Sequence, residues 1–201
     1  MTPAVLLAPL APGIAAVTLF NPDKLNAVTA AMWVALEQVM AQLSADDSLR
    51  CVLIRGEGQA FAAGGDIGEF ETLRATYDQA VAYHGQVARA LAAISECTHP
   101  VVAAIEGPCI GGGLEIAAAC DLRIAGESAT FGAPIKKLGF SMAPSELASL
   151  LALAGSAVAL EILLEGRILK AQEAYAKGLL TRVVPDDALA AEALATARRI
   201  A

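Results

Sequence analysis

A glutamate that follows three consecutive glycines is the feature of this sequence best suited to chemistry. Residues 99–121 read HPVVAAIEGPCIGGGLEIAAACD, which predicts a short apolar strand, a turn, and an apolar helix that begins at Leu114. Burial in such a helix raises the pKa of a carboxyl group such as Glu115 toward neutrality, and the free N–H groups at a helix start favour negative charge. The stretch therefore predicts a base beside an oxyanion donor. The alternative is that the glycines only ease helix–strand packing and that Glu115 is exposed.

A second glycine-containing loop follows a predicted strand at residues 50–54. At residues 61–66 its sequence is FAAGGD, and such a run of small residues lets the main chain approach a ligand closely. Glycine loops after strands are also common as simple turns, so this loop alone does not define a site. Neither stretch has the GK[ST] ending of a phosphate-binding loop or the GxGxxG spacing of a dinucleotide site, and the chain has no GxSxG sequence.

The elements that must position these two stretches alternate between strand and helix. Short apolar runs predict strands at residues 14–19, 50–54, 101–105, 122–125, 129–131 and 180–184. Apolar residues at three- and four-residue steps, with their capping signals, predict helices at about residues 29–43, 75–94, 114–120, 145–164, 171–177 and 186–201. This alternation predicts one α/β domain.

The composition limits the possible functions. The 201 residues are 56% hydrophobic, enough for a substantial core, and the net charge of −7 is expected to repel nucleic acid. Mean hydropathy is high at +0.56, but the longest charge-free run in the C-terminal half, between Glu146 and Glu161, is too short to cross a bilayer. No lysine or arginine precedes Lys24, which disfavours a signal peptide. No membrane role is therefore predicted.

The cysteines and histidines do not have the spacing of a metal site. The four cysteines lack CxxC spacing: Cys51, Cys97, Cys109 and Cys120. Each lies in or beside an apolar segment, which favours reduced, packed thiols and a cytoplasmic setting, with a catalytic thiol at Cys109 as the alternative. The two histidines, His84 and His99, are isolated in the sequence from cysteine and acidic clusters, so no metal site is predicted.

Taken in order, the motifs resemble the enoyl-CoA hydratase/isomerase (crotonase) family. They are NPDKLNA at residues 21–27, FAAGGD at 61–66, IGGGLEIAAACDLRIA at 110–125, a Phe–Gly–x–Pro turn at 131–134, and LLEGRILKAQEAYAKGLLTRVVP at 163–185. The resemblance extends from about residue 14 to the end of the chain. It implies a crotonase-type β/β/α spiral in a single α/β domain of residues 1–201, with the core spiral to about residue 140 and a helical part from about residue 145.

The resemblance also implies a site for an acyl-CoA thioester. The main-chain N–H groups of Gly65 and Gly112 would hold the thioester oxygen, and Glu115 matches the first catalytic glutamate of the family. Six positions match residues that line the CoA nucleotide and pantetheine: Lys24, Leu25, Ala27, Ala63, Asp66 and Ile67. Coenzyme A is then part of the substrate, with no separate cofactor and no metal. For Lys24, a solvated surface lysine is the alternative.

The sequence departs from the family at the second catalytic glutamate. Hydratases of the family carry it after the proline of the Phe–Gly–x–Pro turn, where this chain has Ile135. Syn addition of water is easiest with two carboxyls that orient one water and exchange its protons, which isoleucine cannot do. Glu146 is a candidate second acid, although its spacing favours a capping or solvent-facing position at the start of a helix.

Three functions are therefore left open. The first is an enoyl-CoA hydratase-like reaction with Glu115 as the sole carboxylate. The second is double-bond isomerisation, or decarboxylation of a malonyl-type thioester, through the same enolate. Decarboxylation needs no proton-abstracting base, but Met142 stands about where decarboxylases of the family place a tyrosine. The third is non-catalytic binding of a CoA ester, against which the retained Gly65, Gly112 and Glu115 argue.

The resemblance implies an oligomer as well. Family members assemble as homotrimers or dimers of trimers, and the apolar excess of this chain is consistent with such burial between subunits. Family chains usually continue as C-terminal helices that cover the acyl pocket, whereas this sequence stops within a helical pattern. A residue of the pocket could therefore lie outside this sequence, and the acyl chain and stereochemistry are not predicted.

Overall fold

The computed structural model of the chain describes residues 2–201. Within them the strands are β1 (Ala4–Ala11), β2 (Ile14–Phe20), β3 (Cys51–Gly56), β4 (Val101–Ile105), β5 (Pro108–Ile110), β6 (Leu122–Gly126), β7 (Thr130–Gly132), β8 (Leu169–Lys170) and β9 (Arg182–Val184). The helices are α1 (Ala30–Ser44), α2 (Phe70–Leu73), α3 (Tyr77–Ser95), α4 (Gly112–Ala119), α5 (Pro144–Glu165), α6 (Ala171–Ala176) and α7 (Leu189–Ile200).

The larger of two sheets has the strand order β1-β2-β3-β4-β6-β9. Its strands are parallel except for β1, which is antiparallel to β2. Successive side chains of a strand point to opposite faces, so Val52 and Ile54 join the core under α1 and α3, while Leu53 joins a second core under α7. The smaller sheet has the strand order β5-β7-β8, and its strand β5 immediately precedes α4.

Helix α1 shows how the sequence fixes an element locally. The Thr29 hydroxyl accepts a hydrogen bond from the Met32 N–H and so caps the first turn. Its apolar stripe, which the three- and four-residue spacing predicts, is buried: Met32, Trp33, Leu36, Met40 and Leu43.

The structure differs from the sequence prediction in several places, three of which concern β1, β5 and α4. Strand β1 was not predicted, because its apolar side chains, such as Leu6 and Leu7, are exposed at the edge of the sheet and give no alternating pattern. Residues 108–110 form β5 inside the segment predicted as a turn. Helix α4 begins at Gly112 and not at Leu114, because the glycines themselves take helical geometry after Gly111.

Helix α5 is long and apolar, and by length and composition alone it could span a membrane. Gly155, with φ 73° and ψ 169°, interrupts its helical geometry near the middle. At 1.5 Å per residue each half is about 16 Å long, roughly half of the hydrocarbon thickness of a bilayer. Much of the helix surface is exposed, including Leu160 and Leu164.

The segment after residue 144 is mostly helical, yet it returns twice to the sheets. Strand β8 pairs with β7, and β9 pairs with β6 at the edge of the larger sheet. Helix α7 then packs across β3, β4 and β6. The C-terminal part therefore completes both the sheet and the second core.

Candidate active site

Main-chain hydrogen bonds join the three motif segments of the sequence into one unit. Val28 N–H donates to the Gly64 carbonyl at 2.7 Å, and Asp66 N–H donates to the Val28 carbonyl at 2.9 Å. On the other side of this loop, Ile110 N–H donates to the Ala62 carbonyl at 2.9 Å. The FAAGGD loop therefore lies between the segment of residues 21–28 and the strand that precedes the glycine run.

This arrangement leaves the amide groups of Gly65 and Gly112 without an acceptor. The bonds to Val28 are made by the neighbours of Gly65, so within residues 2–201 the N–H of Gly65 itself donates to nothing. Gly112 is the first residue of α4, where the helix offers no acceptor to its N–H. The Gly65 nitrogen lies 3.4 Å from the position that a β-carbon on Gly112 would take, so the two main chains are in contact. Two free donors thus lie side by side.

The two glycines on either side of Gly112 are each required by the local structure. Gly111 precedes α4 with φ +50° and ψ −116°, a conformation that side chains disfavour. At Gly113, an added β-carbon would lie 2.4 Å from the Ala62 carbonyl oxygen, so only glycine permits this close approach of helix and loop. The glycine run therefore does allow close helix–loop packing, as the alternative predicted, and it also provides a free amide.

Glu115 is buried, with 7% of its surface exposed, which rejects the alternative of an exposed glutamate. The pKa of its carboxyl group is raised to about 8, chiefly by burial and also by the negative charge of Glu146, while the positive charge of Arg74 opposes the shift. At neutral pH most of the Glu115 carboxyl groups therefore hold a proton.

Glu146 lies in the same site, and of the two positions that the sequence favours for it, capping and solvent-facing, it takes the capping one. It is 6% exposed at the start of α5, where its Oε2 accepts a hydrogen bond from Ala143 N–H at 3.3 Å. The expected capping position is therefore correct. Its other oxygen, Oε1, is 2.5 Å from His84 Nδ1 on α3. His84 is therefore not isolated from acidic residues, because folding brings together two positions that are 62 residues apart.

These groups line one cavity of about 240 Å³. Gly65 and Gly112 contribute main-chain groups to its wall, and Glu115, Glu146 and His84 lie on the helices α4, α5 and α3, which pack against one another. Apolar side chains make up much of the remaining wall: Trp33, Ile67, Phe70, Val87, Ile110, Ile135, Leu138, Phe140 and Met142. The cavity combines two main-chain donors, two buried carboxyls and an apolar surface.

The six positions matched to CoA contacts divide into two groups. Ala63 and Ile67 line the cavity. The other four lie just outside its lining: Lys24, Leu25, Ala27 and Asp66. Lys24 Nζ is 2.6 Å from the buried Asp66 Oδ2, while 56% of the lysine side chain stays exposed. Lys24 is thus a surface lysine held in place by Asp66, and a contact with CoA stays a prediction.

The cysteines behave as packed thiols. Cys51, Cys109 and Cys120 are buried, and Cys97 is half-buried; none forms a disulfide with another cysteine. Burial raises the pKa of the Cys109 thiol well above its usual value, which disfavours the nucleophilic thiolate considered as the alternative. Within residues 2–201 no group of three potential ligands could hold a metal ion.

The sequence profile of the enoyl-CoA hydratase/isomerase family matches residues 10–201. The chain belongs to the enoyl-CoA hydratase/isomerase family. It is 37% identical to a probable enoyl-CoA hydratase of Mycobacterium tuberculosis over 198 residues, which cover 94% of this chain and 69% of that protein. It is also 35% identical to a probable enoyl-CoA hydratase of Rhizobium meliloti over 185 residues, 92% of this chain and 70% of the relative.

Solved structures of the family have the same fold. An enoyl-CoA hydratase/carnithine racemase from Magnetospirillum magneticum is 51% identical, with a TM-score of 0.95 over 98% of this chain and 73% of its own. An enoyl-CoA hydratase/isomerase family protein from Hyphomonas neptunium is 41% identical, with a TM-score of 0.93 over 98% of this chain and 75% of its own. The predicted crotonase-type fold is confirmed.

Three polar residues that line this cavity were not identified from the sequence. Arg74 follows α2, and Tyr83 and His84 lie on α3; all three line the cavity. The Tyr83 hydroxyl lies 3.0 Å from the position of a β-carbon on Gly65, and burial raises the pKa of Tyr83 to about 12, so it is a neutral donor beside the amides. The sequence carried one signal for the region, since Tyr83 and His84 stand on the helix predicted at residues 75–94.

Proposed function

We propose that this protein adds water reversibly to the double bond of a 2-enoyl-CoA thioester, with Glu146 taking the place of the second glutamate that Ile135 replaces. The observation that carries the proposal is the presence of two buried carboxyl groups, Glu115 and Glu146, in a cavity that also holds two free main-chain amides. A binding protein has no need of a paired set of buried carboxyls, whose burial is costly.

The amides of Gly65 and Gly112 would hold the thioester oxygen. As water adds to the β-carbon, negative charge develops on that oxygen in an enolate-like transition state, and fixed donors in a largely apolar cavity stabilise it strongly. The free N–H of Gly112 also stands at the positive end of α4. Coenzyme A enters this scheme as part of the substrate, with no other cofactor.

The different environments of the two carboxyls assign their roles. Glu146 accepts a hydrogen bond from Ala143 N–H, is paired with His84 Nδ1, and would take a proton from the attacking water. Glu115, whose pKa is raised to about 8, would give its proton to the α-carbon. One O–H bond of water breaks, a C–O bond forms at the β-carbon and a C–H bond forms at the α-carbon. Proton exchange between the carboxyls through a new water restores the starting state.

The same site could carry out two other reactions of the family in principle. Isomerisation of a 3-enoyl thioester needs one carboxyl to move a proton, and decarboxylation of a malonyl-type thioester needs the amides alone. The second buried carboxyl favours hydration over both. We include in the proposal a cytoplasmic setting, consistent with four free cysteines, and a homotrimer or dimer of trimers, consistent with the exposed apolar surface of α5.

The test is spectrophotometric, with crotonyl-CoA as the substrate. The wild-type protein should remove the enoyl absorbance, and Glu146→Gln should slow this loss by about a hundredfold or more while binding of the CoA ester is retained. The matched control is Glu127→Gln, a change at an exposed glutamate outside the cavity, which should leave the rate unchanged.

Two results would overturn the proposal. Full activity in Glu146→Gln would show that Glu115 acts as the sole catalytic carboxylate. No loss of enoyl absorbance in the wild-type protein, despite measurable binding of the ester, would reject hydration. Incubation with a 3-enoyl-CoA and with methylmalonyl-CoA would then separate an isomerase, a decarboxylase and a CoA-ester binder.

A further inference from the structure

Arg74 is a cation of the cavity that the proposed reaction leaves unused. It follows α2, is half-buried and contributes to the cavity wall. Within residues 2–201 its guanidinium group forms no salt bridge and donates no side-chain hydrogen bond. An arginine carries five N–H donors in a planar fork that matches a carboxylate, and all five are free here.

Aromatic rings hold this guanidinium in place without consuming its donors. The Arg74 Cζ atom lies 4.5 Å from the centroid of the Phe70 ring and 4.3 Å from that of Phe140, with Tyr83 at 5.5 Å. Stacking on ring faces stabilises the cation and leaves the in-plane N–H groups available. The side chain is therefore oriented in advance for a planar anion.

The rings that hold Arg74 lie beside the proposed oxyanion site. A β-carbon on Gly65 would lie 3.2 Å from the Phe70 ring and 3.0 Å from the Tyr83 hydroxyl, so the rings that hold Arg74 adjoin an amide of the proposed oxyanion site. Arg74 is also close enough to Glu115 for its charge to act on that carboxyl. By contrast Lys24, matched to CoA contacts, is paired with Asp66 outside the cavity lining.

We propose that Arg74 binds a carboxylate carried by the acyl chain, which makes a dicarboxylic acyl-CoA thioester the substrate class of this site. The inference rests on the proposed function, because it takes the cavity to be the acyl site of a CoA thioester. An unpaired guanidinium beside apolar walls loses hydration, and a carboxylate a few carbons from the thioester would restore its hydrogen bonds as a charge-assisted pair.

The experiment uses saturated esters, so that its outcome does not depend on hydration. Calorimetry would compare glutaryl-CoA, which ends in a carboxylate, with pentanoyl-CoA, which has the same chain length and ends in a methyl group. The wild-type protein should bind glutaryl-CoA about ten- to a hundredfold more tightly. Arg74→Met should abolish this preference with little change for pentanoyl-CoA, and Arg74→Lys should retain part of it.

The matched variant is Lys137→Met, because Lys137 is the other permanently charged cation among the residues that line the cavity. It is exposed and lacks ring partners within the described chain, so the preference for glutaryl-CoA should survive its loss. Equal binding of the two esters by the wild-type protein would overturn the inference, as would a preference that persists in Arg74→Met. Equal weakening of both esters in Arg74→Met would also overturn it and assign Arg74 to the CoA phosphates.

The failure of this inference can be told apart from the failure of the proposed function. A protein that hydrates crotonyl-CoA but binds the two saturated esters equally retains the function and rejects the role of Arg74. A protein that prefers glutaryl-CoA through Arg74 but hydrates no enoyl ester retains the role and rejects hydration. Circular dichroism and thermal unfolding of each variant would verify that the fold is intact.

Discussion

Two sets of groups line the cavity, named here the amide end and the carboxyl end after their chemistry, and they are built in different ways. At the amide end, Gly65 and Gly112 offer main-chain groups that hydrogen bonds between adjoining segments hold in place. At the carboxyl end, Glu115, Glu146 and His84 offer side chains from three helices, and their meeting depends on helix packing. The amide end is thus fixed by the backbone. In the proposed function, α5 supplies the second carboxyl, while Ile135 occupies the position of the family's second glutamate.

The largest effect is expected at the carboxyl end. Glu115→Gln keeps the shape of the side chain but cannot donate a carboxyl proton, so turnover of crotonyl-CoA should fall by about a thousandfold or more. Binding of a saturated ester should change little, because the amides remain. A spectrophotometric assay measures turnover and calorimetry measures binding of the saturated ester. Glu127→Gln serves as the matched control. Loss of binding together with turnover would show that the two ends are not independent.

The amide end should respond somewhat less strongly to a side-chain change. In Gly112→Ala the added β-carbon would lie 2.9 Å from the Trp33 ring and 3.4 Å from the Gly65 nitrogen, so it would disturb both donors. The expected loss of turnover is about a hundredfold, the usual effect of one impaired oxyanion donor.

The control for Gly112→Ala is Gly85→Ala, within α3, where the nearest atom to the new β-carbon is 3.7 Å away. This change should leave turnover unaltered and raise the free energy of unfolding by about 0.5–1 kcal/mol, the ordinary difference between glycine and alanine in a helix. Equal turnover of Gly112→Ala and Gly85→Ala would exclude Gly112 from the oxyanion site.

A smaller effect is expected from His84, which acts through Glu146. His84→Ala should lower kcat by about tenfold with KM unchanged, because the carboxylate loses one hydrogen-bond partner. His84→Asn can still offer an N–H to Glu146 and should recover most of the rate. A structural role alone would predict no such recovery and no change in the pH profile of kcat. His99→Asn, at a histidine that contacts the Asp46 carbonyl outside the cavity, is the control.

The last effect concerns stability and can be measured without any substrate. The pKa of Glu115 is about 8 in the folded protein and 4.5 when unfolded, so between these values the folded state retains a proton that the unfolded state has lost. The free energy of unfolding should therefore fall as pH rises through this range, by about 1 kcal/mol per pH unit from this group.

The measurement is urea unfolding of the wild-type protein and Glu115→Gln at several pH values from 5 to about 8. The variant lacks the titrating carboxyl, so its stability relative to the wild-type protein should increase steadily with pH. Contributions from other groups cancel in this difference, and Glu127→Gln should show no trend. Parallel curves for the wild-type protein and Glu115→Gln would contradict the raised pKa.

The amide end could be predicted from the sequence because its information is local. The FAAGGD loop and the IGGGLE stretch specify tight main-chain geometry within a few residues, and their order along the chain resembled one family strongly enough to identify it. The buried face of α1 and the central strands could be predicted equally well, because three- to four-residue and two-residue periodicities indicate which side chains face a core. Helix boundaries were less certain, as the start of α4 at Gly112 shows.

The carboxyl end was decided by tertiary structure. Glu146 stands at the first turn of α5, where the sequence alone permits a cap that faces either water or the interior. The packing of α5 against α3 and α4 turns it inward. His84 and Arg74 likewise gained their partners, a carboxylate and two phenyl rings, from elements distant in the chain. The sequence indicated which main-chain amides would hold an oxyanion in the proposed function, because the two glycine motifs are short local patterns that resemble one family. Helix packing alone determined which charged side chains face this site, because the neighbours of a side chain on a helix surface are set only when the helices pack together.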